Sequence, residues 1–306
     1  MKSAWLFPGQ ASQYVGMGKD IFDHTDLGKH YFECANDIME CDIQSIIFYG
    51  PKEKLKQTQY TQPAIYIVSV ILGELLKAKD FSPNAVAGHS LGEYSALAIA
   101  NAFDFEKGLS LVKVRAENMA KAGATQEGAM AAIIGIEDKT VSELCSDYSG
   151  NGVVVPANYN SPGQVVISGS PEAVESVMDS AKASGARMTV QLNVSGAFHS
   201  PLMAPAREAL ADSLDSLEIS DSLFPVFTNV DAEPITKGHE IKDSLIRQLE
   251  NPVLWSKSIL SMKDFGIESF TEVGPGKILQ GLNKRIDRKI ETQGVESLEQ
   301  IEHFNV

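Results

Sequence analysis

Short apolar runs alternate with helical patterns along most of the chain, the arrangement of an α/β fold. Ala4-Trp5-Leu6-Phe7 is an unbroken apolar run closed by Pro8-Gly9, which predicts a buried strand. Residues 63–76 predict a helix with Pro63 in its first turn and an apolar face beyond it. A second short strand, Ala85-Val86-Ala87-Gly88, precedes helices predicted over 91–100 and 105–120.

The texture changes near residue 128. Residues 129–134 are strand-like, 138–145 form a helix with an acidic start, and 153–155 and 164–167 are strands. Ser170-Pro171 then opens a helix over 172–183, with Ser at the cap and Pro at the first position. A strand over 188–192 closes the set. The order β-α-β-β-α-β is that of a ferredoxin-like unit. Residues 127–194 are therefore expected to form a small domain inserted into a larger one made of 1–126 and 195–306. Beyond it come a helix over 202–217, a strand over 225–227, helices around 240–249 and 253–264, and a strand over 269–273. Gly274-Pro275-Gly276 turns the chain into a last helix carrying Leu279 and Leu282. The active site is expected where the two domains meet.

With 306 residues, 43% hydrophobic and 22% charged, the chain can bury a large core without disulfides or metals. Its net charge of −14 argues against sequence-independent nucleic-acid binding, which needs a basic footprint. Cys34, Cys41 and Cys145 are odd in number and show neither C-x-x-C nor ligand-like spacing with His. That excludes a disulfide framework, speaks against zinc and fits a reducing cytosol. The apolar stretch before Pro8 is too short for a signal peptide. The longest apolar run, 64–72, falls well below the ~20 residues that span a bilayer. A cytoplasmic protein outside the membrane is expected.

Gly88-His89-Ser90-Leu91-Gly92 lies between a predicted strand and a predicted helix, the setting of a nucleophile elbow. Chance alone yields about 0.2 matches to G-x-S-x-G in a chain of this composition, so only context gives the pattern weight. A serine there can be a helix cap or a nucleophile with the Leu91 N–H facing a developing oxyanion. A nucleophile needs a base. His89 lies inside the elbow and reads as structural. His24, His30, His239 and His303 lie in polar segments. His199, at the boundary between the inserted unit and the larger domain, is the candidate. No Asp or Glu between Ser90 and His199 stands out as a third member, and more than a hundred residues follow His199, which argues against a plain α/β-hydrolase.

Further blocks then matter. They are Phe7-Pro8-Gly9-Gln10-Ala11-Ser12-Gln13, the elbow with Glu93-Tyr94, the helix bearing Arg115, and Asn158-Tyr159-Asn160-Ser161-Pro162-Gly163-Gln164. Ala197-Phe198-His199-Ser200-Pro201-Leu202-Met203, Gln248 with Asn251-Pro252-Val253-Leu254-Trp255, and Glu272-Val273-Gly274-Pro275-Gly276 follow. In these blocks and their order the sequence resembles the malonyl-CoA:acyl-carrier-protein transacylases of fatty acid synthesis, over essentially the whole chain.

The resemblance implies a large α/β-hydrolase-like domain with a parallel sheet, plus the inserted ferredoxin-like domain. It implies Ser90 as nucleophile, His199 as general base, and the backbone N–H groups of Gln10 and Leu91 as oxyanion donors. The stretch holding Gln248 would orient the His through a neutral oxygen, and Arg115 would clamp the free malonyl carboxylate. On residue pattern alone Arg115 reads as a surface arginine of an amphipathic helix. Ala11 stands where the family usually has glycine, so its backbone must avoid positive φ or accept strain. In related acyltransferases of polyketide assembly, Phe beside the His accompanies malonyl and Ser accompanies methylmalonyl, so Phe198 implies malonyl.

The implied substrates are malonyl-CoA and phosphopantetheinylated acyl carrier protein, with no metal or bound organic cofactor. A monomer is expected. The carrier is acidic in this system, so docking needs a local positive surface, and Lys284, Arg285, Arg288 and Lys289 form the densest cluster. The same cluster also reads as a solvated helix end. A discrete acyltransferase serving a polyketide synthase shares every motif, and a serine thioesterase or hydrolase is the more distant alternative.

Overall fold

A computed structural model describes residues 2–305. β1 (Ser3–Phe7) and β2 (Ala85–Gly88) are buried at every position, which is why both read as unbroken runs rather than alternating ones. The helix expected over 63–76 begins earlier and spans Thr58–Lys77, placing Pro63 inside it. Thr58 and Thr61 of its added first turn are buried, and the Thr61 hydroxyl donates to the Leu55 carbonyl at 2.5 Å. Tertiary burial thus overrides the helix-start signal of Pro63.

β3 (Ala129–Ile134), β4 (Val154–Ser161), β5 (Gln164–Gly169) and β6 (Met188–Gln191) form a wholly antiparallel sheet in the order β4-β5-β3-β6. Ala129, Ala131 and Ile133 of β3 point to the face covered by the helices Asp138–Ser146 and Pro171–Ala183. β4 runs to Ser161, well past the expected 153–155. Its polar second half and two register shifts hide the strand from an apolar pattern. Ser170 stands at the cap of its helix, but its hydroxyl accepts from the Val153 N–H at 3.1 Å rather than from the helix.

The chain returns through β7 (Val226–Phe227), β8 (Pro234–Ile235), β9 (Ser269–Val273) and β10 (Thr292–Val295). The larger sheet has the order β10-β9-β1-β2-β7-β8. Five strands are parallel, but β8 pairs antiparallel with β7, so the sheet is mixed rather than purely parallel. β8 and β10 carry no apolar run and exist through their pairing with β7 and β9. Four helices between residues 19 and 55 likewise lie outside what the apolar pattern predicts. Glu272, at the end of β9, accepts from the N–H groups of Leu279 and Gln280 and so caps the helix Ile278–Ile286. At the carboxyl ends of the adjacent strands β1, β2 and β7 the chain turns through Gln10, Ser90 and Asn229. That is the crevice where open α/β sheets bind ligands.

Candidate active site

The turn from β2 into the helix Gly92–Ile99 is too tight for side chains at its glycines. A Cβ on Gly88 would stand 1.9 Å from the Gly92 carbonyl carbon, and one on Gly92 would stand 2.0 Å from the Phe7 oxygen. Ser90 between them takes φ 53°, in the left-handed region, which costs an L-residue about 1–2 kcal/mol. Asn229 holds the strained turn. Its Oδ1 accepts from the Ser90 N–H at 2.6 Å, and its Nδ2 donates to the Gly88 carbonyl at 2.6 Å.

His199, also at positive φ (57°), lies with Nε2 2.8 Å from Ser90 Oγ. Its Nδ1 is 2.8 Å from the Gln248 carbonyl oxygen. A carbonyl only accepts, so Nδ1 carries the proton and Nε2 presents its lone pair to the serine hydroxyl. Burial, helped by the neighbouring Arg115 guanidinium, pushes the His199 pKa down to about 3. The imidazole is therefore neutral at physiological pH and able to take a proton from Ser90.

Arg115 is 1% exposed, which corrects its reading as a surface residue. Leu111, Val112 and Met119, at helical spacing from it, are buried on the same stripe of the helix Phe105–Thr125. Its Nη1 donates to Gln62 Oε1 at 2.6 Å, while Nη2 donates to Ser90 Oγ at 3.0 Å and Gln248 Oε1 at 2.9 Å. Its buried Nε–H has no acceptor. Among the described residues no carboxylate pairs with this guanidinium, and burial lowers its pKa. A buried cation with an orphan donor beside a serine hydroxyl is a site shaped for an anion.

Ser90, His199, Arg115, Gln10, Leu91 and Phe198 line one cavity of about 770 Å³. Gln248 is fully buried behind it. Among the described residues, the backbone N–H groups of Gln10 and Leu91 donate no hydrogen bond. Ala11 takes φ 86°, so the chain accepts the strain that glycine would have avoided. His89 turns away from Ser90, its Nε2 2.8 Å from Asn160 Oδ1. Lys284, Arg285, Arg288 and Lys289 are exposed, but none lines the cavity, whose wall instead includes Lys52 and Lys56. The expectation that no cysteine has ligand-like spacing with His needs correction. His30 and Cys34 are one helical turn apart, and with Glu106 they place potential ligand atoms within 4.8 Å of one another at the surface.

Three further groups carry no sequence signal strong enough to single them out: Asn229, Gln62 and Glu93. Asn229 follows β7 directly, and its place at the carboxyl end of a parallel strand is the available signal. Gln62 lies one residue outside the helix that Pro63 predicts. Glu93 follows the elbow, but residue type alone gives it no part to play.

Residues 4–299 match the acyl transferase domain family. Over 302 residues the chain is 42% identical to the malonyl CoA-acyl carrier protein transacylase of Bacillus subtilis, covering 98% of this chain and 95% of that protein. It is 43% identical over 284 residues to the protein of the same name from Escherichia coli, covering 92% of each. Among solved structures, the malonyl CoA-acyl carrier protein transacylase of Coxiella burnetii superposes with a TM-score of 0.95 at 38% identity, covering 99% of this chain and 96% of that one. A type II PKS acyl-carrier protein in complex with its malonyl-transacylase matches with a TM-score of 0.94 at 37% identity, covering 98% of each chain.

Proposed function

The chain belongs to the acyl transferase domain family, and on that premise we propose that it moves a malonyl group from malonyl-CoA to the phosphopantetheine thiol of acyl carrier protein, for fatty acid synthesis. The reaction runs in two halves through a malonyl-serine. Ser90 Oγ attacks the thioester carbonyl as His199 Nε2 takes its proton. The tetrahedral oxyanion is met by the N–H groups of Gln10 and Leu91, each supplying about 2.7–4 kcal/mol of stabilisation. Its collapse breaks the C–S bond, and His199 returns the proton to the CoA thiolate. The carrier thiol then gives its proton to His199 and attacks the malonyl-serine, and collapse breaks the ester C–O bond as His199 returns the proton to Ser90 Oγ.

One observation carries the malonyl assignment: the unpaired, buried Arg115 guanidinium beside Ser90. A planar guanidinium holds a carboxylate through parallel bonds that Lys cannot copy. An acetyl group leaves the cation unpaired, so the site disfavours it. Gln248 orients His199 through its carbonyl, and Phe198 crowds an α-methyl branch. Residues 1–126 and 195–306 serve as the catalytic unit and 127–194 as an inserted one, a division supported by all strands of the antiparallel sheet falling within 129–191. No helix among the described residues is long and apolar enough to cross a membrane.

The test is transfer from radiolabelled malonyl-CoA to carrier protein with and without its phosphopantetheine arm. Label on the armed carrier only is expected; label on neither carrier, with free malonate released, returns the hydrolase reading. The structural likeness to a transacylase bound to a polyketide carrier favours one second reading, service to a polyketide synthase. Running fatty-acid and polyketide carriers side by side separates the two.

A further inference from the structure

Glu93 is the second residue of the helix Gly92–Ile99 and is 1% exposed. Its Oε2 accepts from Gln248 Nε2 at 2.9 Å and from the Asn229 N–H at 3.0 Å, and the Ser244 hydroxyl lies 3.5 Å from Oε1. We propose that Glu93 is a positioning residue: its carboxylate sets the orientation of the Gln248 side-chain amide and thereby holds Arg115 where it selects an acyl group bearing a second carboxylate. The inference rests on the malonyl reading above.

Donors and acceptors decide the orientation. An amide offers an acceptor at one end and donors at the other, whereas a carboxylate only accepts. Glu93 therefore fixes the NH₂ of Gln248 toward itself and toward the Ser90 carbonyl, 3.0 Å away. That leaves Gln248 Oε1 facing Arg115 Nη2. A reversed amide would set oxygen against Glu93 and the Ser90 carbonyl, and donor against donor at the guanidinium. The amide thus stands as a fixed dipole between a buried carboxylate and a buried cation.

The same carboxylate reaches the elbow by a second route. The Asn229 N–H it accepts belongs to the residue whose side chain grips both Gly88 and Ser90. Burial raises the Glu93 carboxyl to about 7 even against the donors from Gln248 and Asn229 and the Arg115 charge, which pull it down. The group is held by its partners rather than by solvent.

Glu93→Asp keeps the charge but withdraws the carboxylate by one methylene. The readout is the single-turnover rate of Ser90 acylation by malonyl-CoA and by acetyl-CoA. We expect the malonyl rate to fall about 100-fold, the scale of a 1 Å misplacement. The acetyl group offers Arg115 no carboxylate, so its rate falls only by what Ser90 itself loses, and the malonyl-to-acetyl ratio drops at least about tenfold. Glu93→Gln, with its length and one acceptor retained, brings the ratio back most of the way. Glu93→Met, of similar volume and only a weak acceptor, is read in the same way and keeps the test open if Glu93→Asp does not fold. An equal fall for both thioesters, with the ratio unchanged, overturns the proposal and leaves Glu93 a structural residue. Absence of malonyl labelling in the unmutated protein would instead overturn the malonyl reading itself.

Discussion

The two sheets meet at the cavity and bring different things to it. The six-stranded sheet is buried in its central strands, and the ends of β1, β2 and β7 present Gln10, Ser90 and Asn229. Its surrounding core contains Trp5, Phe7, Phe32 and Tyr66, all fully or almost fully buried. The four-stranded sheet has a core of Ala, Val, Ile and Cys side chains, and its edge strand β6 leaves Met188 and Val190 49% and 41% exposed. It gives the cavity walls rather than reacting groups: Met130, Asn158 and the segment 192–195 beyond β6. Strained backbone needs a frame that over-determines it. Ser90 at φ 53° is held by the sheet with the deep core, and nothing comparable is asked of β6.

The two regions are joined at two places that matter to the chemistry, one of them the bond from His89 in the elbow to Asn160 of β4. Val253 bonds to β4 in both directions, donating to the Ala157 carbonyl and accepting from the Tyr159 N–H, each at 2.9 Å. That fastens the segment just after Gln248, whose carbonyl orients His199, to the smaller sheet.

The largest break in this comparison comes from Arg115. Losing two charge-assisted bonds, about 1.5–3 kcal/mol each, should lower malonyl acylation in Arg115→Ala by roughly 100-fold to 10,000-fold while acetyl acylation changes far less. Stopped-flow thioester assays with both substrates check it; equal loss for both would remove carboxylate recognition.

Next is a pH effect on stability. Folded His199, with its pKa near 3, binds no proton between pH 6.5 and about 3, whereas the unfolded chain does. It therefore withdraws stability as pH falls through that window, by up to about 1.4 kcal/mol per unit. Glu93, raised from 4.5 to about 7, acts in the opposite sense: it binds a proton more tightly when folded, so its contribution is lost as pH rises through that range. In the wild type the two oppose each other between pH 4.5 and 6.5. Removing the imidazole with His199→Gln should make the variant gain on the wild type by roughly 1–3 kcal/mol as pH drops from about 6.5 to about 4.5. Urea midpoints across that range decide it, and parallel curves for the two proteins would count against the buried neutral His.

A paired substitution sharpens the contrast between the sheets. Asn229→Ala leaves Ser90 N–H and Gly88 carbonyl without partners and should cost about 2–4 kcal/mol of unfolding free energy. Val190→Thr on the exposed edge strand should stay within about 0.5 kcal/mol of wild type. Similar losses at both sites would erase the distinction. The smallest expected change is a gain: Ala11→Gly relieves φ 86° and should raise stability by up to about 1 kcal/mol, read as a higher melting temperature.

The amino-acid pattern carries much of this architecture. Continuous apolar runs betray β1 and β2, and the alternation of strands and helices over 129–191 yields the ferredoxin-like order. β8 and β10 are not legible, because two- and four-residue edge strands owe their existence to a neighbour rather than to their own side chains. In the site, Ser90 and His199 announce themselves through residue type and place. Arg115 does not, because its residue pattern reads as a surface arginine and only the fold buries it on the stripe with Leu111, Val112 and Met119. Nor does the carbonyl of Gln248, since every residue has one and only the fold decides which carbonyl faces an imidazole. Glu93 and Asn229 act through backbone groups and an amide, and such work leaves no motif of its own.

Everything proposed for this site depends on Ser90 forming a malonyl ester that the charge on Arg115 selects. Intact mass after brief mixing with malonyl-CoA or acetyl-CoA, with Ser90→Ala as control, shows whether it does. A malonyl-sized gain is expected on the unmutated protein, with at most a minor acetyl-sized gain from acetyl-CoA in the same time and no gain in Ser90→Ala. Equal labelling by both thioesters, or a malonyl adduct that persists in Ser90→Ala, would refute it.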